Sequence, residues 1–379
     1  MKIKTITCHN VYNTGASLQA YALAQYLKGI GNEVEIIDYV PDYLTHHKFT
    51  GIGNLKYAKP VLRELYLLLK LPGRIKERYG KRKREFDKFT AKYLPLTQMH
   101  YSSYEELCEN PPEADIVFAG SDQIWNTLFK NGKDPAFYLQ FMPDSCVRAS
   151  YAASFATPDV VDEWKDQVKK WLTDLDYISV REKTGVKIIE NLGICTAVQV
   201  MDPVFLLSKE EWEQMTKENI FSEKYIFLYD FDVRADIAEY AKKIAKRNGW
   251  KIYSFLKNSY ADKCFHEEGP EMFLALIKQS QMVISNSFHA TVFSIILEKK
   301  FVVFNRRESI NTRMQDLLNI LNLSERLLFE PIEKMDVIEI DYPKIGKNLR
   351  REVVKSKEYI TKVIEKTKEK YEEESFVCN

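Results

Sequence analysis

Segments with the residue patterns of β-strands and α-helices alternate along the chain in two successive stretches. The first stretch predicts a strand over residues 2–7, a helix over 16–29 and a second strand over 33–38. The second stretch repeats this order, with strands predicted over 225–229, 251–255, 282–285 and 301–304. Such alternation is typical of parallel sheets covered by helices on both faces. We therefore predict an α/β fold with two Rossmann-like domains that face each other across a cleft.

Interruptions of this order indicate the domain organisation. Asp202-Pro203 breaks the pattern, so we predict an N-terminal domain over 1–206 and a C-terminal domain over 207–346. Residues 46–101 form an insertion in the first domain that is largely helical by composition, and residues 347–379 form a long charged helix and tail. A length of 379 residues suits two domains better than one.

The charge balance and the motif content exclude several classes of protein. Because 55 Lys+Arg stand against 54 Asp+Glu, the formal charge is only +1, which argues against binding nucleic acid through bulk positive charge. No apolar run approaches the ~20 residues that span a bilayer, and the N-terminus lacks a signal-peptide pattern, so we expect a cytoplasmic protein. The six cysteines form no CxxC pair, and no HExxH, P-loop or complete GxGxxG occurs. We expect neither a metal site nor a cofactor.

Ligands of open α/β sheets bind beyond the carboxyl ends of the strands, so residues that directly follow predicted strands are the site candidates. In the first half these are Asn10, Asn13, Gly15, Gly120, Ser121, Asp122, Trp125 and Arg181. A turn at a helix start can bind an anion, a carboxylate beside an aromatic ring suits a sugar, and arginine suits a carboxylate or phosphate. The same residues would also fit a capped turn, a capping Asp beside a core Trp, and a local ion pair of Arg181 with Glu182 or Asp176.

The second half contributes a histidine and a group of arginines. The candidates are Ser285, Asn286, Ser287 and His289 between a strand and a helix, and Arg306, Arg307 and Arg313 after the next strand. Histidine suits proton transfer near neutral pH, and clustered arginines suggest an anionic ligand, although a structural histidine and a solvated charged loop would look the same. Asp230 and Asp232 are similar to the paired carboxylates that hold a metal-bound nucleotide sugar in some glycosyltransferases, or they belong to a solvated turn.

Taken together, these stretches resemble the polysaccharide pyruvyl transferase family, from His9 to about Leu323. The matching segments are Asn13-Thr14-Gly15, Gly120-Ser121-Asp122-Gln123-Ile124-Trp125-Asn126, Tyr151-Ala152-Ala153-Ser154-Phe155, Ser179-Val180-Arg181-Glu182, Asp202-Pro203 and Ser285-Asn286-Ser287-Phe288-His289-Ala290. The resemblance implies a glycosyltransferase-B-like pair of domains, with the C-terminal helix crossing back to the first. It also implies phosphoenolpyruvate as donor and a pyruvate ketal on two hydroxyls of a sugar, in a surface polysaccharide or its lipid-linked precursor.

The resemblance assigns roles by position, with one departure. Arg181 corresponds to an arginine implicated in donor binding, and His289 to the histidine of the family's Ser-x-Arg-Leu-His segment. Ser287 stands where the family usually has the arginine, and Phe288 where it has an aliphatic residue. Either Arg306, Arg307 or Arg313 supplies the missing charge, or the donor or the activity differs.

Phosphoenolpyruvate carries a carboxylate and a phosphate, so its site needs several fixed cations. We expect His289 to be the general acid that protonates the methylene carbon of the donor, and Asp122 to bind or deprotonate the acceptor hydroxyls. The rival hypotheses are a nucleotide-sugar-dependent glycosyltransferase that uses Asp230 and Asp232, and a non-catalytic glycan-binding paralogue, which Ser287 would suit.

Residues 61–84 combine an apolar run with a basic one. Eight basic residues and one acidic residue lie between Lys70 and Arg84, directly after Leu65–Leu69. Such a segment suits peripheral binding to an anionic membrane, which would place the protein at the inner face of the membrane beside a lipid-linked acceptor. A helix packed on the domain with a solvated basic face is the alternative.

Overall fold

The structure is a computed structural model that describes residues 1–44, 80–194, 197–216, 220–306, 312–329 and 339–377. Its first parallel sheet consists of β1 (Lys2–Ile6), β2 (Glu33–Tyr39), β3 (Leu96–Tyr101), β4 (Ile116–Ala119) and β5 (Val147–Ser150). The strand order is β3-β2-β1-β4-β5. A two-stranded sheet of β6 (Ser179–Val180) and β7 (Val198–Gln199) follows in the chain.

The second parallel sheet lies in the second half of the chain. It consists of β8 (Tyr225–Tyr229), β9 (Lys251–Ser254), β10 (Lys263–Cys264), β11 (Met282–Ser285), β12 (Phe301–Phe304) and β13 (Leu327–Leu328). Its order is β10-β9-β8-β11-β12-β13. Two parallel sheets wound outward from a central strand confirm the α/β fold with two Rossmann-like domains.

Helices cover the sheets. The described helices are α1 (Thr14–Gly29), α2 (Lys81–Tyr93), α3 (Tyr104–Glu109), α4 (Lys165–Thr173), α5 (Lys183–Asn191), α6 (Lys209–Gln214), α7 (Ala235–Asn248), α8 (Pro270–Gln279), α9 (Phe288–Ile296), α10 (Thr312–Ile320) and α11 (Tyr342–Val377). Every residue of the central strands β4 and β8 is buried. Continuous apolar strands of this kind are expected where helices cover both faces of a parallel sheet.

The strand order locates the crevice. In the first sheet β1 lies between β2 and β4, and in the second β8 lies between β9 and β11. At such switch points the connections leave in opposite directions and open a crevice at the carboxyl ends of the strands. The loops after β1, β4, β8 and β11 are therefore the ones that can line a common site.

The last part of the predicted insertion over 46–101 is not wholly helical, in contrast to the prediction. Residues 80–101 contain α2 and then β3, which pairs with β2 as the outer strand of the first sheet. Three consecutive β3 residues are exposed, so the segment lacks the buried apolar run of the inner strands and composition alone did not identify it. The predicted membrane-binding segment 61–84 lies outside the described residues except for its last five positions.

Helix α11 runs from the second domain to the first. Near its start the Tyr342 hydroxyl donates a hydrogen bond to the main-chain oxygen of Ser294, 3.2 Å away. Further along, the Tyr359 hydroxyl donates to the main-chain oxygen of Ser150 at 2.9 Å, and Ser356 Oγ accepts from the main-chain N–H of Met201 at 2.9 Å. In the described part of the chain, no helix is both long and apolar enough to cross a membrane.

Candidate active site

The loop after β1 meets the helix after β11 across the cleft. Asn13 caps α1, where its Oδ1 accepts the N–H groups of Gly15 and Ala16 at 2.9 and 3.3 Å. A side chain at Gly15 would overlap the imidazole ring of His289, so only glycine permits this approach. The turn that looked like a helix cap is thus both a cap and a wall of the site.

His289 occupies the first turn of α9, the helix that follows β11. Ser287 caps this helix, since its hydroxyl accepts the N–H of Ala290 at 3.4 Å. Nε2 of His289 lies 3.5 Å from Oδ2 of Asp202, so a protonated imidazole would form an ion pair with a carboxylate of the first domain. Among the described residues, Nε2 is buried without a hydrogen-bond partner.

Two arginines and two carboxylates form a buried network beside His289. Arg181 donates from Nη1 to Asp202 at 2.5 Å and from Nη2 to Asp122 at 3.0 Å. Arg313, from α10 of the second domain, donates from Nη1 to the same Oδ1 of Asp122 at 3.2 Å. The network therefore joins the two domains, and Arg181 does not form the local pair with Glu182 or Asp176 that its sequence position also allowed.

Burial and the neighbouring charges shift the pKa values of these groups. Burial alone would raise the pKa of Asp122, but the charges of Arg181, His289 and Arg313 hold it below its usual value. Burial would likewise raise the pKa of Asp202, but His289 and Arg181 hold it below its usual value. Burial, reinforced by the neighbouring Arg181, lowers the pKa of Arg313 to about 10. Arg313 is thus the less compensated cation, and an added anion would favour its charged form.

Phe288 contacts both arginines of the network. The guanidinium carbon of Arg181 is 4.7 Å from the ring centroid of Phe288, and that of Arg313 is 5.4 Å away. Cation–π contacts at this range stabilise a guanidinium without neutralising it. Phe288 therefore supports both cations.

A single cavity brings many of the predicted residues together. Its lining consists of Asn13, Gly15, Asp122, Gln123, Tyr229, Phe231, Phe273, Asn286, Ser287, Phe288, His289, Arg306, Arg313 and Met314. Arg306 approaches it from the loop after β12, where Nε is 3.6 Å from Oδ1 of Asp232. Arg181 lies directly behind this lining through its bond to Asp122. Both domains contribute, as two facing Rossmann-like domains require.

Several predicted residues have other surroundings. Trp125 is fully buried, donates from Nε1 to the main-chain oxygen of Phe137 at 2.9 Å and stacks on Tyr138, so its ring belongs to the core and cannot cover a sugar. Ser121 is also fully buried, and its hydroxyl donates to the main-chain oxygen of Ala152 at 2.7 Å. Both predictions of ligand contact are corrected, because burial in the core excludes a ligand.

The other four predicted residues do not line the cavity or cannot be placed. Gly120 has φ of +133° and lies so close to the main-chain oxygen of Tyr151 that a Cβ there would overlap it, so this glycine serves the backbone. Asn10 is partly buried in the loop after β1 and lies outside the cavity lining. Ser285 Oγ is buried between the main-chain oxygen of Tyr229 and the N–H of Ser287. Arg307 lies outside the described residues.

The Asp230 and Asp232 pair does not form a metal site in the described structure. Asp230 accepts the main-chain N–H groups of Asp232 and Arg234 and the side-chain amide of Asn286, at 2.7 to 2.9 Å. A carboxylate with these partners stabilises a turn. Over the ranges that the structure describes, no group of three or more His, Cys, Asp or Glu side chains is arranged to hold a metal ion.

Asp202 and Phe231 are among the members of the site that the sequence did not identify. Asp202 was noted only as part of Asp202-Pro203, yet it contacts both Arg181 and His289. Phe231 was passed over between the two aspartates, yet its ring lines the cavity. The rule that ligands lie after strands could have identified Phe231, which is the second residue after β8, whereas the partners of Asp202 lie far away in the sequence.

A model of the family described as polysaccharide pyruvyl transferase matches residues 13–308. No curated protein matches significantly. Similar solved structures include a putative UDP-N-acetylglucosamine 2-epimerase from Listeria monocytogenes, at 8% identity and a TM-score of 0.49, covering 95% of this chain and 89% of that one. The Methanocaldococcus jannaschii UDP-GlcNAc 2-epimerase has 12% identity and a TM-score of 0.47, covering 93% of each chain. The E. coli heptosyltransferase WaaC has 10% identity and a TM-score of 0.39, covering 81% and 90%.

Proposed function

The chain belongs to the polysaccharide pyruvyl transferase family, and from that premise we propose that it transfers pyruvate from phosphoenolpyruvate to two hydroxyls of a sugar. The product is a pyruvate ketal on a surface polysaccharide or on its lipid-linked precursor, and inorganic phosphate is released.

The observation that best supports the proposal is the position of Arg313 and His289 on the wall of one cavity, with Arg181 directly behind that wall. Arg181 comes from the first domain, and Arg313 and His289 come from the second. A small ligand with a carboxylate and a phosphate needs such an arrangement of fixed cations. Its binding would replace Asp122 as the partner of Arg313.

We assign to Arg313 the charge that Ser287 does not provide. Ser287 caps α9 and so keeps a structural role. The Arg313 guanidinium reaches the same helix start from α10, where it lies over the ring of Phe288 and lines the cavity. The departure at 287 therefore changes which element carries the cation, and the cavity keeps its positive charge.

The proposed reaction begins with a proton transfer from protonated His289 to the methylene carbon of the donor. The electron pair of the C=C bond forms the new C–H bond and leaves an oxocarbenium-like carbon. One sugar hydroxyl attacks this carbon and gives its proton to the carboxylate of Asp122. The second hydroxyl then attacks, the bond to the phosphate oxygen breaks, and its electron pair leaves with phosphate. The proton of the second hydroxyl passes to His289 and restores its protonated form. The proton on Asp122 passes to phosphate.

The proposal is tested by measuring phosphate release and by mass spectrometry of the acceptor. Wild-type protein is incubated with phosphoenolpyruvate and a panel of galactose, mannose and N-acetylmannosamine acceptors. We expect a pyruvate ketal with wild type and a loss of about 10²–10⁴ in rate with His289→Ala, the usual contribution of a general acid. His100→Ala is the control, since this histidine is exposed and does not line the cavity. Equal rates for wild type and His289→Ala would exclude the role of His289.

A further inference from the structure

Phe231 is an exposed aromatic side chain in the wall of the cavity. It follows β8 and remains 38% exposed, although it lines the same cavity as His289 and Arg313. Leaving a large apolar ring in water is unfavourable, and aromatic side chains in cavities commonly contact ligands. A ligand with an apolar face would therefore bind favourably against this ring.

The main chain on both sides of Phe231 is held by specific hydrogen bonds. Its own N–H donates to Oδ1 of Asn286 at 2.9 Å. The carboxylate of Asp230 accepts the N–H groups of Asp232 at 2.9 Å and of Arg234 at 2.8 Å. The ring also packs against Tyr229, with 4.5 Å between the centroids. These hydrogen bonds order the turn that holds Phe231 in its exposed position.

The same contacts place Phe231 beside the proposed reaction site. Asn286, which fixes its main chain, lies three residues before His289, and β8 and β11 are neighbours with Tyr229 opposite Ser285. From the first domain, Asn13 and Gln123 line the cavity as well. An apolar ring with a few polar groups around it is the usual composition of a small-molecule site.

We propose that Phe231 is the platform on which the pyranose ring of the acceptor sugar stacks; this rests on the proposed pyruvyl transfer. One face of a pyranose presents C–H groups, which an aromatic ring can cover, while the hydroxyls at the edge stay free. Ketal formation needs two hydroxyls to reach one carbon in turn, so the sugar must keep one orientation through both attacks. The Arg306 guanidinium lies over the Phe231 ring, 5.4 Å from its centroid.

The experiment uses saturation-transfer NMR with methyl galacto-, manno- and glucopyranosides in the presence of phosphoenolpyruvate. The proteins are wild type, Phe231→Ala, Phe231→Tyr and the control Phe129→Ala, which removes a ring that is 49% exposed and does not line the cavity. We expect transfer to the ring protons of at least one hexoside, reduced about tenfold in Phe231→Ala and retained in Phe231→Tyr and the control. Thermal unfolding verifies that Phe231→Ala is folded.

Three results would overturn the sugar platform: no transfer to any hexoside, equal transfer to wild type and Phe231→Ala, or a loss of donor affinity alone, which would assign the ring to the donor. Phosphate release is measured on the same samples. Sugar binding that depends on Phe231, without phosphate release or ketal, would uphold the platform and contradict the pyruvyl transfer. The two proposals therefore fail in distinguishable ways.

Discussion

At the scale of single residues, the space between Gly15 and His289 constrains the site closely. The first turn of α1 carries Gly15, the first turn of α9 carries His289, and the two come from different domains. A methyl group at Gly15 would occupy the volume of the imidazole. The position of the proposed general acid is therefore set by the absence of a side chain on the opposite domain.

We predict that Gly15→Ala reduces turnover by about 100-fold, because displacing a catalytic group by about 1 Å has an effect of that size. Steady-state phosphate release measures it. Gly29→Ala is the matched control at the other end of α1, where a Cβ meets no atom within 4 Å, and we expect unchanged turnover. Wild-type turnover in Gly15→Ala would show that the imidazole can move without loss of function.

The site residues show what residue patterns can and cannot predict. The position of Asp122, Arg181 and His289 after strands was sufficient to bring them together, because parallel strands place their carboxyl ends at one edge. Trp125 also lies in a loop after a strand, but its ring packs in the core. The sequence contains no signal that distinguishes these two outcomes. The exposed aromatic ring of the cavity is that of Phe231.

At the scale of elements, α2 connects the two domains near the site. Arg82 on this helix donates from Nη2 to the main-chain oxygen of Tyr12 at 2.8 Å and from Nη1 to that of His266 at 2.9 Å. Tyr12 directly precedes the Asn13 cap, and His266 lies in the second domain. The end of the same helix is joined to α8 by Lys92 and Glu271, 3.0 Å apart. Helix α2 thus fixes the loop of Gly15 relative to the second domain.

We predict that Arg82→Ala lowers the free energy of unfolding by about 2 kcal/mol, since hydrogen bonds from a charged donor contribute about 1.5–3 kcal/mol. Denaturant unfolding measures it, with Arg84→Ala as control on the exposed face of α2. We expect the control to change stability by less than about 0.5 kcal/mol. If both variants unfold alike, α2 does not connect the domains in solution.

The elements were predictable to different degrees for physical reasons. Inner strands such as β8 and β12 are continuous apolar runs because both of their faces are covered, so their bounds matched the sequence pattern. The outer strand β3 has three exposed residues in a row and was predicted as part of a helical insertion. Its assignment depends on pairing with β2, a contact that local pattern does not contain.

At the scale of the whole molecule, the proposed donor site depends on the relative position of the two domains. Arg181 and His289 belong to different halves, and Asp122 and Asp202 connect them in the structure. A doubly anionic ligand bound to Arg313 and His289 of the second domain, beside Asn13 and Gly15 of the first, would add contacts to both halves. A ligand that binds only the folded state stabilises it, by about 2.7 kcal/mol at 100 times its Kd.

Thermal unfolding with phosphoenolpyruvate therefore tests the central claim most directly. We predict that phosphoenolpyruvate raises the Tm of wild type and of Arg247→Gln, an exposed position on α7, but not that of Arg313→Gln. UDP-sugars serve as the competing ligands. An increase in Tm with a UDP-sugar and none with phosphoenolpyruvate would contradict the account.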